Sequence, residues 1–205
     1  MNFSSIMNKF PKVCEFYWNN HWAKGTILYR MTTGGDQKDV RSILQTPINS
    51  EIISVAKTFT GTLNEKALKC HKWVVSNIAY ESDEENWGKP EYWQDCNITF
   101  KKETGDCEDM SILLMRMMQA CGIPAWRRKI CCGTARDGLG RMVGHAYCLY
   151  LTEEYVWTAL DPAYYPLESV SNFGTPQSKV SNYGELWFTF NEEYSWHQRS
   201  TIFLY

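Results

Sequence analysis

Cys107 lies in a segment whose composition suits a reactive thiol. The stretch at 104–125 reads TGDCEDMSILLMRMMQACGIPA, in which a cysteine flanked by acids precedes a long apolar run and a Gly-Ile-Pro stop. The spacing predicts a helix at 106–121 that begins beside Cys107. A helix start leaves N–H groups unpaired and carries about half a positive charge, which favours a thiolate, although the flanking carboxylates oppose this effect. Cys107 is therefore a candidate nucleophile, whereas Cys121 is typical of a buried structural thiol.

A histidine and an aspartate follow on two predicted strands. The segments HAYCLYL and YVWTALD are rich in β-branched and aromatic residues and predict an antiparallel hairpin. If the loop has three residues, Thr152–Glu154, then His145 lies directly opposite Asp161. Facing side chains have Cβ atoms ~4.5–5.5 Å apart, so the carboxylate can bind an imidazole nitrogen. A loop of two or four residues would break this pairing, so the prediction depends on the loop length.

Together these residues have the types that acyl-transfer chemistry requires. Cys107 would be the nucleophile, His145 the base and Asp161 the orienting carboxylate. The sulfur would attack a carbonyl carbon and form a thioester, and the backbone N–H of Cys107 could donate to the oxyanion. Gln94 and Trp93, in the aromatic segment before the cysteine, are candidates for a second oxyanion donor, although packing or groove lining explains both equally well.

The remaining pattern predicts one α+β domain. Three helices are expected, with a long polar loop before the central one, three strands after it, and one or two further strands in the tail. The expected helices cover about 48–58, a segment from the N-cap Asn64 to about 78, and 106–121; the loop covers 81–103; the strands are WRRKICC, MVGHAYCLYL and EYVWTALDP. Residues 1–45 are expected to form an irregular, partly helical arm.

Composition excludes several classes of protein. The net charge is −2 and the pI about 6.1, and the short basic run at 127–129 is typical of a solvated strand end, so no nucleic acid partner is expected. Without a leader sequence or an apolar run of ~20 residues, we predict a cytoplasmic protein with no membrane partner. The eight cysteines contain no C-x-x-C pair, so neither a metal site nor a cofactor is expected. His71 is expected to be a packed or surface residue.

Three ordered blocks carry a family resemblance. GDCEDMSILL with GIPA, GHAYCLYL, and VWTALDP resemble the catalytic core of the transglutaminase-like superfamily, whose fold is related to papain-like cysteine peptidases. The resemblance runs from about 64 to 166, and the upstream WVVSNIAYESDEENWGKPEYWQ is similar to the lead-in of many microbial members. Because the sequence has no internal repeats and no low-complexity linker, we expect a single domain over 1–205. The resemblance implies that its core at 64–166 has a central helix, which bears the nucleophile and packs on an antiparallel sheet. An N-terminal arm with a helix (1–60) and a C-terminal extension (167–205) would flank this core.

The resemblance implies the same triad and a range of activities. Cys107, His145 and Asp161 match the nucleophile, base and third member of the family. We predict a cysteine hydrolase that cuts a peptide, isopeptide or side-chain amide bond in a protein or peptide substrate. A glutamine acyl transferase and a catalytically silent binding module are the alternatives. The calcium-loop signature of animal transglutaminases is absent from the sequence, so no metal requirement is predicted, and the oligomeric state is not indicated.

Overall fold

The computed structural model describes residues 22–163 and 183–198, and predictions that concern the remaining residues lie outside this part of the chain. The helices are α1 (Ser50–Lys57), α2 (Leu63–Asn77), α3 (Asp83–Trp87), α4 (Cys96–Lys102) and α5 (Cys107–Ala120), with 3-10 helices at Val40–Gln45 and Ala125–Arg127. The strands are β1 (Trp22–Lys24), β2 (Leu28–Tyr29), β3 (Lys38–Asp39), β4 (Ala79–Tyr80), β5 (Thr104–Gly105), β6 (Arg128–Arg136), β7 (Met142–Leu151), β8 (Trp157–Leu160), β9 (Tyr183–Phe190) and β10 (Ser195–Gln198). None of the helices within these described ranges is long and apolar enough to cross a bilayer.

Six strands form one antiparallel sheet in the order β1-β10-β9-β6-β7-β8. The three strands predicted after the central helix are present, and the tail contributes two more, as expected. The N-terminal region departs from the prediction because its strand β1 adds to the sheet edge beside β10. The α+β fold class is confirmed.

Helix α5 is the centre of the molecule. Nearly all of its side chains are buried, because α1, α2 and α4 surround it on one side and β6 and β7 cover the other. The helix ends before Gly122, whose φ of +81° is a left-handed conformation that glycine adopts without strain. The prediction of a buried central helix with a glycine stop is confirmed.

The sequence had suggested Asn64 as the N-cap of α2, but the N-cap is Thr62. Thr62 and Glu65 form a reciprocal capping box, which satisfies two N–H groups at the helix start. Asn64 lies inside the first turn, where its Oδ1 accepts from the Tyr150 hydroxyl and the Glu153 amide, each at 3.0 Å. This side chain therefore anchors α2 to the β7–β8 turn.

The predicted long loop at 81–103 contains two short helices. Ser82 and Glu85 form a capping box for α3, and the Asp95 side chain accepts from two backbone amides at the start of α4. The prediction of a mostly irregular loop was wrong because these caps stabilise helices that are too short and too polar to show a periodic apolar face. The two helices lead directly to β5 and the start of α5.

The basic run at 127–129 is buried, contrary to the expectation of a solvated strand end. Arg127 donates to two backbone carbonyls at the β7–β8 turn, and Arg128 pairs with Glu192. The Lys129 ammonium lies 3.6 Å above the centroid of the Trp196 ring. Each cation has a specific partner inside the fold, which offsets part of the cost of removing it from water.

Candidate active site

Cys107 is the first residue of α5, as the sequence predicted. The preceding strand β5 pairs in parallel with β4 and delivers the chain to the helix start. Gly105 is required at this point, since a Cβ there would lie 2.6 Å from the Cβ of Asp109. The short β4–β5 ladder and this close approach set the position of the cysteine.

The first turns of α5 lie against the middle of β7. Ser111 Oγ donates to the Ala146 carbonyl at 3.3 Å, and Cys148 Sγ donates to the Ser111 carbonyl at 3.3 Å. The backbone of Ala146 lies close enough to the Cys107 thiol to lower its pKa. Cys107 therefore lies beside the strand residue that follows His145.

The surroundings of Cys107 disfavour its thiolate. Burial raises the pKa of the Cys107 thiol well above its usual range, and the charges of Glu108 and Asp106 act in the same direction. The thiol donates to Glu108 Oε2 at 3.1 Å, whereas the Ala146 backbone contact lowers the pKa. The expectation that the helix start would favour a thiolate is therefore wrong for this arrangement, because burial and nearby carboxylates outweigh the helix dipole.

The β7–β8 register differs from the predicted one. Leu151 pairs with Trp157, so the connection has five residues, 152–156, and not three. His145 and Asp161 are consequently offset along the ladder and do not face each other. Their side chains still lie on the same face because lengthening the loop by two residues preserves the alternation of a strand.

His145 and Asp161 are in direct contact despite this offset. His145 Nε2 lies 2.6 Å from Asp161 Oδ2, and the aspartate is completely buried. Asp161 Oδ1 accepts from the Ala163 amide at 3.1 Å, which holds the carboxylate in place. The imidazole is thus oriented by a buried carboxylate on the neighbouring strand, with Cys107 beside the adjacent residue Ala146.

Tyr183 is a member of this site that sequence reasoning missed. Its hydroxyl donates to Asp161 Oδ2 at 2.6 Å, the same oxygen that His145 contacts. The Tyr183 ring stacks on His145 with 6.2 Å between centroids, and on Tyr147 with 4.1 Å. Tyr183 opens β9 in the aromatic-rich tail, and its side chain reaches across β6 to residues of β7 because of the sheet order, for which the sequence contains no local signal.

His71 lies behind the same aspartate. The side chain is fully buried on α2, where burial lowers its pKa and a contact with the Asp161 backbone opposes that shift. This location agrees with the expectation of a packed residue.

The two oxyanion candidates have other partners. Gln94 is buried, and its side-chain amide donates to Asp109 and, at 3.3 Å, to the Thr104 carbonyl. Trp93 Nε1 donates to Glu91 Oε1 at 2.5 Å. These donors are engaged by other acceptors, and the oxyanion role of Gln94 and Trp93 stays a prediction that this geometry does not support.

Five acidic residues lie around the start of α5. They come from α3, the connection before α4 and the first turn of α5, and they are Asp83, Glu91, Asp106, Glu108 and Asp109. Two triplets of this acidic cluster bring one carboxylate oxygen from each member within 4.8 Å of one another, namely Asp83–Asp106–Asp109 and Asp83–Glu91–Glu108. Asp83 and Glu91 lie at least 15 positions before the other three, so their approach to the start of α5 is a consequence of the fold.

Mutual repulsion and burial perturb this acidic cluster. Burial, reinforced by neighbouring carboxylates, raises the pKa of Asp106 to about 6 and that of Asp109 to about 8. Asp83 Oδ1 and Asp106 Oδ1 are buried without a hydrogen-bond partner. Oxygen-rich, negatively charged groups at this spacing suit a hard divalent cation such as Ca²⁺, whose ligands lie at ~2.3–2.6 Å. The unpartnered oxygens therefore fit a cation site next to the nucleophile.

The fold and the site define a class of protein. A buried helix presents a cysteine at its N-terminus to an antiparallel sheet that carries a contacting His–Asp pair. The sequence profile of the transglutaminase-like superfamily matches residues 48–162, more than half of the chain. The chain belongs to the transglutaminase-like superfamily.

Solved structures support this fold assignment. LapG of Legionella pneumophila superposes with a TM-score of 0.55 and 18% sequence identity, both in a calcium-bound form (77% of this chain, 84% of LapG) and in an EGTA-treated form (78% and 83%). No curated protein sequence matches the chain. At this level of identity the likeness to LapG concerns the fold alone.

Proposed function

We propose that the protein is a cysteine-dependent hydrolase that cuts an amide bond in a protein or peptide. Cys107 is the nucleophile, His145 the base and Asp161 the carboxylate that orients the imidazole. The observation that carries this proposal is the 2.6 Å contact between His145 Nε2 and Asp161 Oδ2, next to Ala146, whose backbone influences the Cys107 thiol. Membership of the transglutaminase-like superfamily supports the same roles.

The reaction would proceed through a thioester. His145 takes the proton of the Cys107 thiol, and the sulfur attacks the carbonyl carbon of the substrate amide. The backbone N–H of Cys107, at the start of α5, donates to the oxyanion. The C–N bond then breaks, the imidazolium protonates the departing amine, and water activated by His145 hydrolyses the thioester and releases the acid.

We further propose that a divalent cation, with Ca²⁺ as the best match, binds the acidic cluster. Asp83 and Asp106 would hold it through the oxygens that lack partners, with Asp109 as the third member of their triplet. A bound cation would offset the negative charge that raises the pKa of Cys107. This proposal departs from the sequence-based expectation of no metal, and the existence of a calcium-bound form of LapG supports it.

Cleavage of a proteome-derived peptide library, read by labelling of new N-termini, tests the hydrolase proposal. With Ca²⁺ present, the wild-type protein and the Cys96→Ser control should generate the same new termini, whereas Cys107→Ala should generate none. Cys96 is a suitable control because it is buried on α4 and lies outside the site. Absence of any Cys107-dependent cleavage, also on side-chain amides monitored by ammonia release, would reject hydrolysis. Incorporation of a fluorescent amine in place of hydrolysis would instead favour the acyl transferase.

A further inference from the structure

The C-terminal end of α5 contains a second cysteine with unusual surroundings. Cys121 directly follows the helix and lines a surface cleft of about 330 Å³. The other walls are the end of α1, the α1–α2 connection at 59–61 and Lys66 of α2. Because α5 has 14 residues, this cleft is about 20 Å from the nucleophile at the other end of the helix.

A second thiol lies directly behind Cys121. Cys70, on α2, is fully buried and its Sγ is 3.4 Å from Cys121 Sγ. Both sulfurs are in the thiol form in this structure, and neither belongs to the site around Cys107. A disulfide would require the two sulfurs to approach by roughly another 1.4 Å, a movement within the reach of side-chain rotation.

The charges at the cleft favour deprotonation of Cys121 over Cys70. The hydrogen bond from the Cys70 thiol is the largest influence on Cys121 and lowers its pKa, and the positive charge of Lys66 acts in the same direction. Burial opposes this shift, and the Cys121 thiol donates to the Ala56 carbonyl at 3.4 Å. Lys66 Nζ also donates to the Cys121 carbonyl at 3.5 Å, and its position one helical turn before Cys70 places both groups on the same face of α2. Cys121, which lines the cleft but is only 9% exposed, is thus the thiol that more readily forms the reactive thiolate.

We propose that Cys121 and Cys70 form a reversible oxidation site for hydroperoxides, with Cys121 as the thiol that reacts and Cys70 as the thiol that resolves. The Cys121 thiolate attacks the distal oxygen of the peroxide, so that an S–O bond forms and the O–O bond breaks. Cys121 becomes a sulfenic acid, and the other oxygen leaves as hydroxide or alkoxide. Cys70 then attacks the sulfenic sulfur, a disulfide forms, and water is released. Two electrons pass from the thiol pair to the peroxide.

The geometry distinguishes this site from a pair of thiols that merely fill the core. Cys131 and Cys148 are also buried, but burial raises the pKa of each, and neither lines the cleft. Cys121 combines a solvent-facing cleft, a neighbouring cation and a second sulfur in contact. The crosslink would join α2 to the end of α5 and close a loop between residues 70 and 121.

Peptide mapping of the intact, full-length protein after treatment with hydrogen peroxide tests this proposal. Wild-type protein and the Cys96→Ser control should form the Cys70–Cys121 disulfide, with loss of two hydrogens and recovery by dithiothreitol. The crosslink should be lost in both Cys70→Ser and Cys121→Ser. In Cys70→Ser the reaction should stop at the sulfenic acid, so Cys121 should react with dimedone.

Two outcomes would overturn the proposal. The first is oxidation of other thiols in the wild-type protein while Cys70 and Cys121 both stay open to alkylation. The second is a correctly folded Cys70→Ser variant, verified by circular dichroism, in which Cys121 does not react with dimedone. The first measurement needs no substitution, so it tests the site even if a variant fails to fold.

Discussion

Helix α5 carries a cysteine at each end, and the two thiols have opposite surroundings. Cys107, at the positive end of the helix dipole, is partly buried and has a raised pKa because desolvation and the charges of nearby carboxylates disfavour its thiolate. Cys121, at the negative end, has a lowered pKa because Cys70 donates to it and Lys66 is near. The helix dipole alone would predict the reverse order. Groups brought in by the tertiary fold therefore outweigh the dipole at both ends.

This comparison predicts that the two cysteines are separable by function. Cys107→Ser should lower kcat/KM by about three orders of magnitude or more, because the nucleophile is lost. Cys121→Ser should keep activity within about twofold, since the cleft is distant from the reacting atoms. Steady-state kinetics on a substrate found in the peptide library measures both. A large loss in a folded Cys121→Ser variant would contradict the separation of the two ends.

The N-terminal site depends on the His–Asp contact. Asp161→Asn should reduce kcat by about 100-fold or more, since the amide cannot stabilise the charged imidazole as the carboxylate does. The peroxide-dependent crosslink between Cys70 and Cys121 should form as in the wild type, which makes it an internal control for folding. Unchanged turnover with an intact crosslink would exclude Asp161 from the triad.

If the acidic cluster binds Ca²⁺, removal of the metal should lower the melting temperature of the protein. Saturating Ca²⁺ should raise the melting temperature by about 5 °C relative to protein in EGTA, because a ligand at ~100-fold its Kd contributes ~2.7 kcal/mol. Asp83→Asn should remove most of this shift. Glu84→Gln, an exposed carboxylate on the same helix, is the matched control and should retain it. Equal responses of wild type and Asp83→Asn would count against the cation site.

The pH dependence of alkylation tests the inverted pKa order directly. In EGTA, labelling of Cys121 should begin below the pH typical of a free cysteine, and labelling of Cys107 above it, because only thiolates react readily with iodoacetamide. Ca²⁺ should move the Cys107 profile to lower pH and leave that of Cys121 unchanged. Mass spectrometry of the two peptides across a pH series measures both profiles. A Cys107 profile below that of Cys121 in EGTA would contradict the comparison.

Substitution of Tyr183 should have the smallest effect on turnover among these variants. Tyr183→Phe removes the hydrogen bond to Asp161 but keeps the stacking on His145, so kcat should fall by about fivefold with little change in KM. Tyr147→Phe is a matched control from the same ring stack. A change in KM alone would indicate a role in substrate binding and not in positioning the carboxylate.

Local pattern was sufficient for most of the fold. The apolar run from Met110 to Met118 predicted a buried helix, and the β-branched segments predicted β6, β7 and β8. Prediction from local pattern failed where caps stabilise short polar helices, as at Ser82 and Asp95. It also failed where strand order brings distant segments together, as for β1 and β9. Those features depend on individual hydrogen bonds or on long-range pairing, neither of which produces a periodic signal.

In the candidate site, too, local features were predictable from the sequence and long-range ones were not. The same-face placement of His145 and Asp161 was predictable because it depends only on whether the connection contains an odd number of residues. The length of the connection, five residues, was not predictable, and neither was the offset between His145 and Asp161 that results from it. Tyr183, and the approach of Asp83 and Glu91 to the acids that flank Cys107, were missed because these residues are far from the cysteine in the chain. The oxyanion donors proposed from sequence turned out to be engaged by Asp109 and Glu91.

The amino-acid sequence by itself determined that a cysteine begins a buried helix and that a histidine and an aspartate share one face of a hairpin, since both follow from local periodicity. Only the tertiary structure decided which charges surround each sulfur. Cys70 and Cys121 are separated by 51 positions, yet their sulfurs are in contact. The free energy of a thiolate depends on burial and on charges within a few ångströms, and these neighbours come from parts of the chain that no local pattern connects.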